Sequence, residues 1–146
     1  CGYHLRGMIE VPPWLTHVAL ISKENNLEFA ALLKEQLRAY HIKIIPDPDL
    51  APYWLVINPI SYHKQIVSIG SSTNPRQYQL LLSVSFLFQT QKAKVLIPER
   101  FITVTRQLTV NNDRILGSDD EERTLISEMK QDAVIQIINR LGTVDI

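Results

Sequence analysis

The sequence predicts an α+β fold, a two-layer α/β sandwich with two helices packed on one face of a mostly antiparallel sheet. Three observations predict it. Two segments, one towards each end of the chain, carry apolar residues at helical spacing. Between them lie segments in which apolar and polar residues alternate, the period of a strand that buries one face. The 146 residues, 45% apolar and 21% charged, are enough for one ordinary core without a disulfide or structural metal.

Residues 2–13 contain Gly2, Gly7, Pro12 and Pro13 and no clear period, so residues 1–13 read as an extended tether and 14–146 as a single domain. Residues 16–22, with Val18, Leu20 and Ile21, form a short apolar run ended by polar residues, the pattern of a first strand. Asn25 or Asn26 can cap a helix from Leu27 to about Tyr40. At 100° per residue Phe29, Leu33, Leu37 and Tyr40 share one stripe, flanked by Ala30 and Leu32, while Glu28, Lys34, Glu35 and Arg38 fall opposite. Residues 42–45 suit a short strand, stopped by the turn chemistry of Pro46-Asp47-Pro48-Asp49.

Residues 54–69 are rich in Val, Ile, Tyr and Trp, and Pro59, which has no N–H, implies an edge or a bulge within them. Residues 70–75 form a loop by composition. Tyr78, Leu80, Leu82, Val84, Phe86 and Phe88 then alternate with polar residues, broken at Leu81 and Leu87. In the next strand Leu96, Ile102, Val104, Leu108 and Val110 share the inward parity. Short loops between these strands favour antiparallel pairing. Asn111-Asn112-Asp113 is turn chemistry, and Ser118 with Glu121 makes a capping box that opens the second helix. Its stripe is Leu125, Met129, Ala133, Ile137 and Leu141, supported by Ile126, with Ile135 and Ile138 off it and Gly142 as terminator. The second sheet face is left to solvent or to a partner.

Fifteen basic and fifteen acidic residues cancel, which argues against a nucleic-acid partner. The charge is unevenly placed: residues 62–114 hold seven basic and two acidic residues, and residues 115–146 hold seven acidic and three basic. His4, His17, His41 and His63 lie in separate segments without metal-ligand spacing, and no nucleophile motif, phosphate loop or dinucleotide fingerprint occurs. Neither a catalytic site, a metal nor a cofactor is expected. Asp119, Asp120, Glu121 and Glu122 read as helix-capping charge rather than as tuned acid/base groups. A binding or assembly role follows.

The numbered chain opens on Cys1, its single cysteine, where a maturation site or a cut is the expectation. A bacterial lipoprotein is cleaved just before the cysteine whose sulfur carries diacylglycerol, and two or three acyl chains anchor a protein stably where one does not.

Three blocks together resemble the LPS-assembly lipoprotein family LptE of Gram-negative outer membranes. They are Cys1-Gly2-Tyr3-His4-Leu5-Arg6; Gln77-Tyr78-Gln79-Leu80 leading through Val84 to Leu96-Ile97-Pro98; and Ile115-Leu116-Gly117 through Glu121-Glu122, Glu128-Met129, Asp132-Ala133 and Gln136-Ile137 to Arg140-Leu141. The resemblance implies two helices on a mixed, four-stranded sheet. It implies a domain tethered through a lipidated Cys1 to the periplasmic side of the outer membrane, with Gly2 consistent with that sorting. It further implies a 1:1 partnership with the LptD β-barrel, which the domain plugs and helps to assemble, and contact with lipopolysaccharide.

Family members carry basic residues at lipopolysaccharide contacts where ungapped matching places Ser71 and Ser118, so those contacts do not carry over. Arg76, Lys92, Lys94 and Arg114 are the nearby substitutes, because charge-assisted contacts suit a polyanionic glycolipid. The alternative is a free periplasmic α/β module for an anionic ligand.

Overall fold

The computed structural model describes residues 11–23, 27–68, 76–110 and 115–144. Its elements are β1 (His17–Ser22), α1 (Leu27–Ala39), β2 (Lys43–Ile44), a 3-10 turn (Pro48–Leu50), β3 (Tyr53–Ile57), β4 (Ser61–Ser68), β5 (Arg76–Thr90), β6 (Val95–Val110) and α2 (Ile115–Leu141). Six strands form one mixed sheet rather than four. The two-residue β2 pairs in parallel with β1, and β1 pairs in parallel with β3, whereas β3, β4 and β6 are all antiparallel to β5. The α+β class and the mostly antiparallel sheet stand.

β5 organises the sheet because both of its edges are used. β6 runs along one edge from Arg76↔Val110 to Gln89↔Val95. On the other edge β3 covers Phe86 to Thr90 and β4 covers Gln77 to Ser83, so β3 and β4 continue one line along β5. Pro59 sits in the gap between them, where a residue without an N–H interrupts no ladder. That break splits one expected strand in two. Asn58 anchors it, its backbone N–H donating to Ser85 O at 2.9 Å and its Nδ2 to Ser85 Oγ at 2.6 Å.

The inward parity of β5 is as its alternation predicts: Leu80, Leu82, Val84, Phe86 and Phe88 are buried. β6 departs from its predicted parity. Ile97 is buried and Leu96 only half-buried, because two steps on β5 (Phe86 to Phe88) face three on β6 (Arg100 to Ile97), a bulge that carries one extra residue past Pro98 and Glu99. Beyond it Ile102, Val104 and Leu108 point inward as expected.

α1 buries Phe29, Ala30, Leu33 and Leu37. α2 buries Met129, Ala133, Ile137 and Leu141, and also Val134 and Ile138. Ile138 thus belongs to the core rather than off the stripe, because α2 lies against both β6 and α1 and its apolar face widens to meet two neighbours. Ile135 is exposed. α2 starts at Ile115, which places Ser118 inside the helix instead of at its cap. A nucleated helix gains one backbone bond per residue added, so α2 extends back through Gly117 although glycine costs about 1 kcal/mol within a helix. At the domain's other corner Trp14, Tyr53 and Phe88 form an aromatic cluster with centroids 4.9 to 6.3 Å apart. Asn25, Asn26, residues 1–10 and 70–75, and Asn111 to Asp113 lie outside the described residues.

Candidate functional site

The helices cover one sheet face, and the other carries a groove of about 400 Å³ lined by Ile21, Lys23, Trp54, Val56, Asn58, Leu87, Gln89 and Glu99. Near it Ser83 and Thr103 face each other across β5 and β6 at 3.4 Å, and Phe101 is 71% exposed. This face joins a contiguous apolar strip, in which Ile21, Val56 and Leu87 are paired across three strands beside Trp54, to polar side chains around it.

Arg76 stands exposed at the start of β5, opposite Val110 at the end of β6 and close in chain to the start of α2. Lys92 and Lys94 stand exposed in the turn from β5 to β6, at the far end of the same hairpin. The ordinary strand rise puts those ends roughly 45 Å apart. The cations therefore do not form one patch. Arg114, Ser71 and Cys1 lie outside the described residues.

Beside Lys94 a cleft of about 510 Å³ opens between the start of β6 and the end of α2, lined by Lys94, Val95, Leu96, Ile97, Pro98, Arg100, Arg140, Thr143 and Val144. Arg100 and Arg140 were not singled out by the sequence, in which they are 40 positions apart and Arg140 lies in an acidic third. Only the fold brings them together. Four other cations are each held by a carboxylate: Lys64 by Glu122 at 2.7 Å, Arg106 by Asp132 at 3.1 Å, Lys130 by Glu28 at 2.9 Å, and Arg123 by Asp120. Among the described residues no carboxylate reaches Lys94, Arg100 or Arg140.

Glu122 joins α2 to β4. It accepts from Lys64 Nζ and from Tyr62 Oη, and Lys64 also lies over the Tyr78 ring at 4.6 Å. Burial alone would raise its carboxyl, but the hydrogen bonds from Lys64 and Tyr62 and the Lys64 charge outweigh burial and hold it below the usual range. Burial, reinforced by the bond to Glu122, pushes the Tyr62 hydroxyl up, so it remains a donor. The network is a structural tie. Among the described residues no group of three His, Cys, Asp or Glu could hold a metal ion, and no helix is long and apolar enough to cross a membrane.

These features define a class: a two-layer α+β domain whose chemistry lies in a bare sheet face and in charge held at the two ends of a long hairpin. Residues 15–141 match the family LptE, described as lipopolysaccharide-assembly, and the chain belongs to that family. It is 30% identical over 152 residues to an LPS-assembly lipoprotein LptE from Pectobacterium atrosepticum, across 99% of this chain and 78% of the relative. Two solved structures share the fold. Rare lipoprotein B from Shewanella oneidensis is similar at a TM-score of 0.76 and 20% identity, over 88% of this chain and 95% of that one. A lipoprotein B from Nitrosomonas europaea is similar at 0.79 and 23%, over 97% and 91%.

Proposed function

We propose that this protein is a non-enzymatic outer-membrane lipoprotein that forms a 1:1 complex with the LptD β-barrel, plugs it, and takes part in lipopolysaccharide transport and insertion. Family membership over residues 15–141 is the observation that carries the reading. The exposed polar parity of β6, Thr103, Thr105, Gln107 and Thr109, supports it, since a barrel lumen is polar and a plug must match it. In this reading residues 14–146 are one domain on the periplasmic side of the membrane, and residues 1–13 are its tether. Acyl chains on Cys1 anchor that tether, in keeping with relatives named as lipoproteins. Arg76, Lys92, Lys94 and Arg114 contact the anionic glycolipid, and the separation of Arg76 from the two lysines makes these contacts two-ended.

The test is to express the full precursor with a C-terminal tag, extract envelopes in detergent, purify by the tag, and identify what co-purifies by mass spectrometry. A stoichiometric large β-barrel together with acyl mass on Cys1 is the expected result. An unacylated protein recovered alone overturns the reading and leaves a free module for an anionic ligand.

A further inference from the structure

We propose that the cleft between β6 and the end of α2 is a subsite for a phosphate group carried on an amphiphile, held by Arg100 and Arg140 together with Lys94. The inference deepens the lipopolysaccharide reading and rests on it for the natural ligand, but the chemistry is argued from the cleft itself.

Three elements each bring one cation to the same space: Lys94 from the hairpin turn, Arg100 from β6 and Arg140 from the last turn of α2. Like charges gathered in one cleft repel, and here no carboxylate among the described residues offsets them, as one does for Lys64, Arg106, Arg123 and Lys130. The acid beside Arg100 in sequence faces away. Glu99, between Pro98 and Arg100, lines the groove on the opposite sheet face, where Asn58 Nδ2 donates to it at 3.3 Å. The alternation of the strand produces that separation, and among the described residues no carboxylate neutralises the cleft. The negative end of the α2 dipole accounts for one cation, Arg140, but not for the two from the hairpin.

Two guanidinium forks and an ammonium match the oxygens of a phosphate monoester, which accepts paired N–H bonds from arginine. The remainder of the lining is Thr143 and an apolar wall of Val95, Leu96, Ile97, Pro98 and Val144 that a free inorganic ion cannot use. The volume of about 510 Å³ suits a phosphate with the first carbons attached to it, not a whole glycolipid.

The test titrates the isotope-labelled full chain with dihexanoyl phosphatidic acid below its micelle concentration and, separately, with inorganic phosphate, following amide shifts. Phosphatidic acid is expected to move Leu96, Ile97 and Val144, to bind more tightly than inorganic phosphate, and to lose about tenfold or more in affinity with R100Q/R140Q. The charge-matched R38Q/K43Q, on exposed positions at the end of α1 and on β2 at the opposite edge of the sheet, is expected to change affinity less than about twofold. Equal binding of inorganic phosphate overturns the amphiphile, leaving a free-phosphate site. Equal losses in both variants, or no shifts at the cleft, overturn the subsite. Lipopolysaccharide capture separates the two readings. If R100Q/R140Q captures lipopolysaccharide as well as the wild-type chain does, the subsite falls and the proposed function is spared. Wild-type chain that binds phosphatidic acid but no lipopolysaccharide sinks the proposed function and spares the cleft.

Discussion

Tyr62 on β4 donates its hydroxyl to Glu122 on α2 at 2.9 Å, and Lys64, two residues along the same strand, reaches the other oxygen of that carboxylate at 2.7 Å. One acidic side chain thus fastens the edge of the sheet to the helix above it. With Glu122 held below the usual carboxylate range, the folded state keeps it ionised where the unfolded chain begins to protonate. Its stabilisation is therefore present at neutral pH and is lost as pH falls below about 4.3 and through the folded value. Glu122→Gln should cost about 1–2 kcal/mol at pH 7, the value of a charged hydrogen bond discounted because Lys64 is partly exposed. Urea unfolding from pH 7 to pH 3 should show the gap between wild type and variant closing with acid. A gap constant down to pH 3 would exclude the ionised carboxylate as its source.

The break between β3 and β4 depends on another pair. Asn58 Nδ2 bonds Ser85 Oγ at 2.6 Å and Glu99 Oε2 at 3.3 Å, and Ser85 is buried. Ser85→Ala leaves the backbone bond from Asn58 in place and should cost about 1 kcal/mol. Asn58→Asp replaces a donor with a second negative charge beside Glu99, and should cost more at pH 7 than at pH 4, where carboxylates begin to protonate. Thermal melts of both variants at the two pH values decide the point, and a penalty for Asn58→Asp that is the same at both would remove the repulsion argument.

Ile138 and Ile135 lie three positions apart on α2, the first fully buried and the second 46% exposed. Ile138→Ala should therefore cost about 2–5 kcal/mol, and Ile135→Ala should stay within about 0.5 kcal/mol. Chemical denaturation of the pair reads the orientation of the helix directly. Equal costs would mean that α2 is rotated from the position described.

The contrast between these two residues also marks how far periodicity reaches. The stripe of α1 and the alternation from Leu80 to Phe88 were legible because each element meets the core along a single regular face. Ile138 was not, because a helix touched by both β6 and α1 buries a wider arc than one stripe. Leu96 and Ile97 exchanged roles because a bulge changes parity without any mark in the hydrophobic pattern beyond Pro98. Pro59 did announce a break, yet not that the chain would resume along the same edge of β5. Lys94 stood out as one of several cations in a basic stretch, whereas its grouping with Arg100 and Arg140 exists only once α2 is laid over β6.

That spatial arrangement governs how charge reversal should act on glycolipid binding. Arg76 lies at one end of β5 and Lys92 and Lys94 beyond the other, farther apart than a Debye length at physiological salt, about 8 Å. Residues so separated and without shared partners perturb binding independently. Lipopolysaccharide binding should therefore weaken in Arg76→Glu and in Lys92→Glu/Lys94→Glu, and the triple variant should lose the sum of the two free energies to within about 0.5 kcal/mol. Each loss should shrink as salt is raised, since exposed charges carry it. Affinities measured for the four proteins at low and physiological salt complete the cycle. A triple variant no weaker than the poorer of its parents would mean that one end alone holds the ligand, and unchanged affinity at low salt would remove these cations from the site altogether.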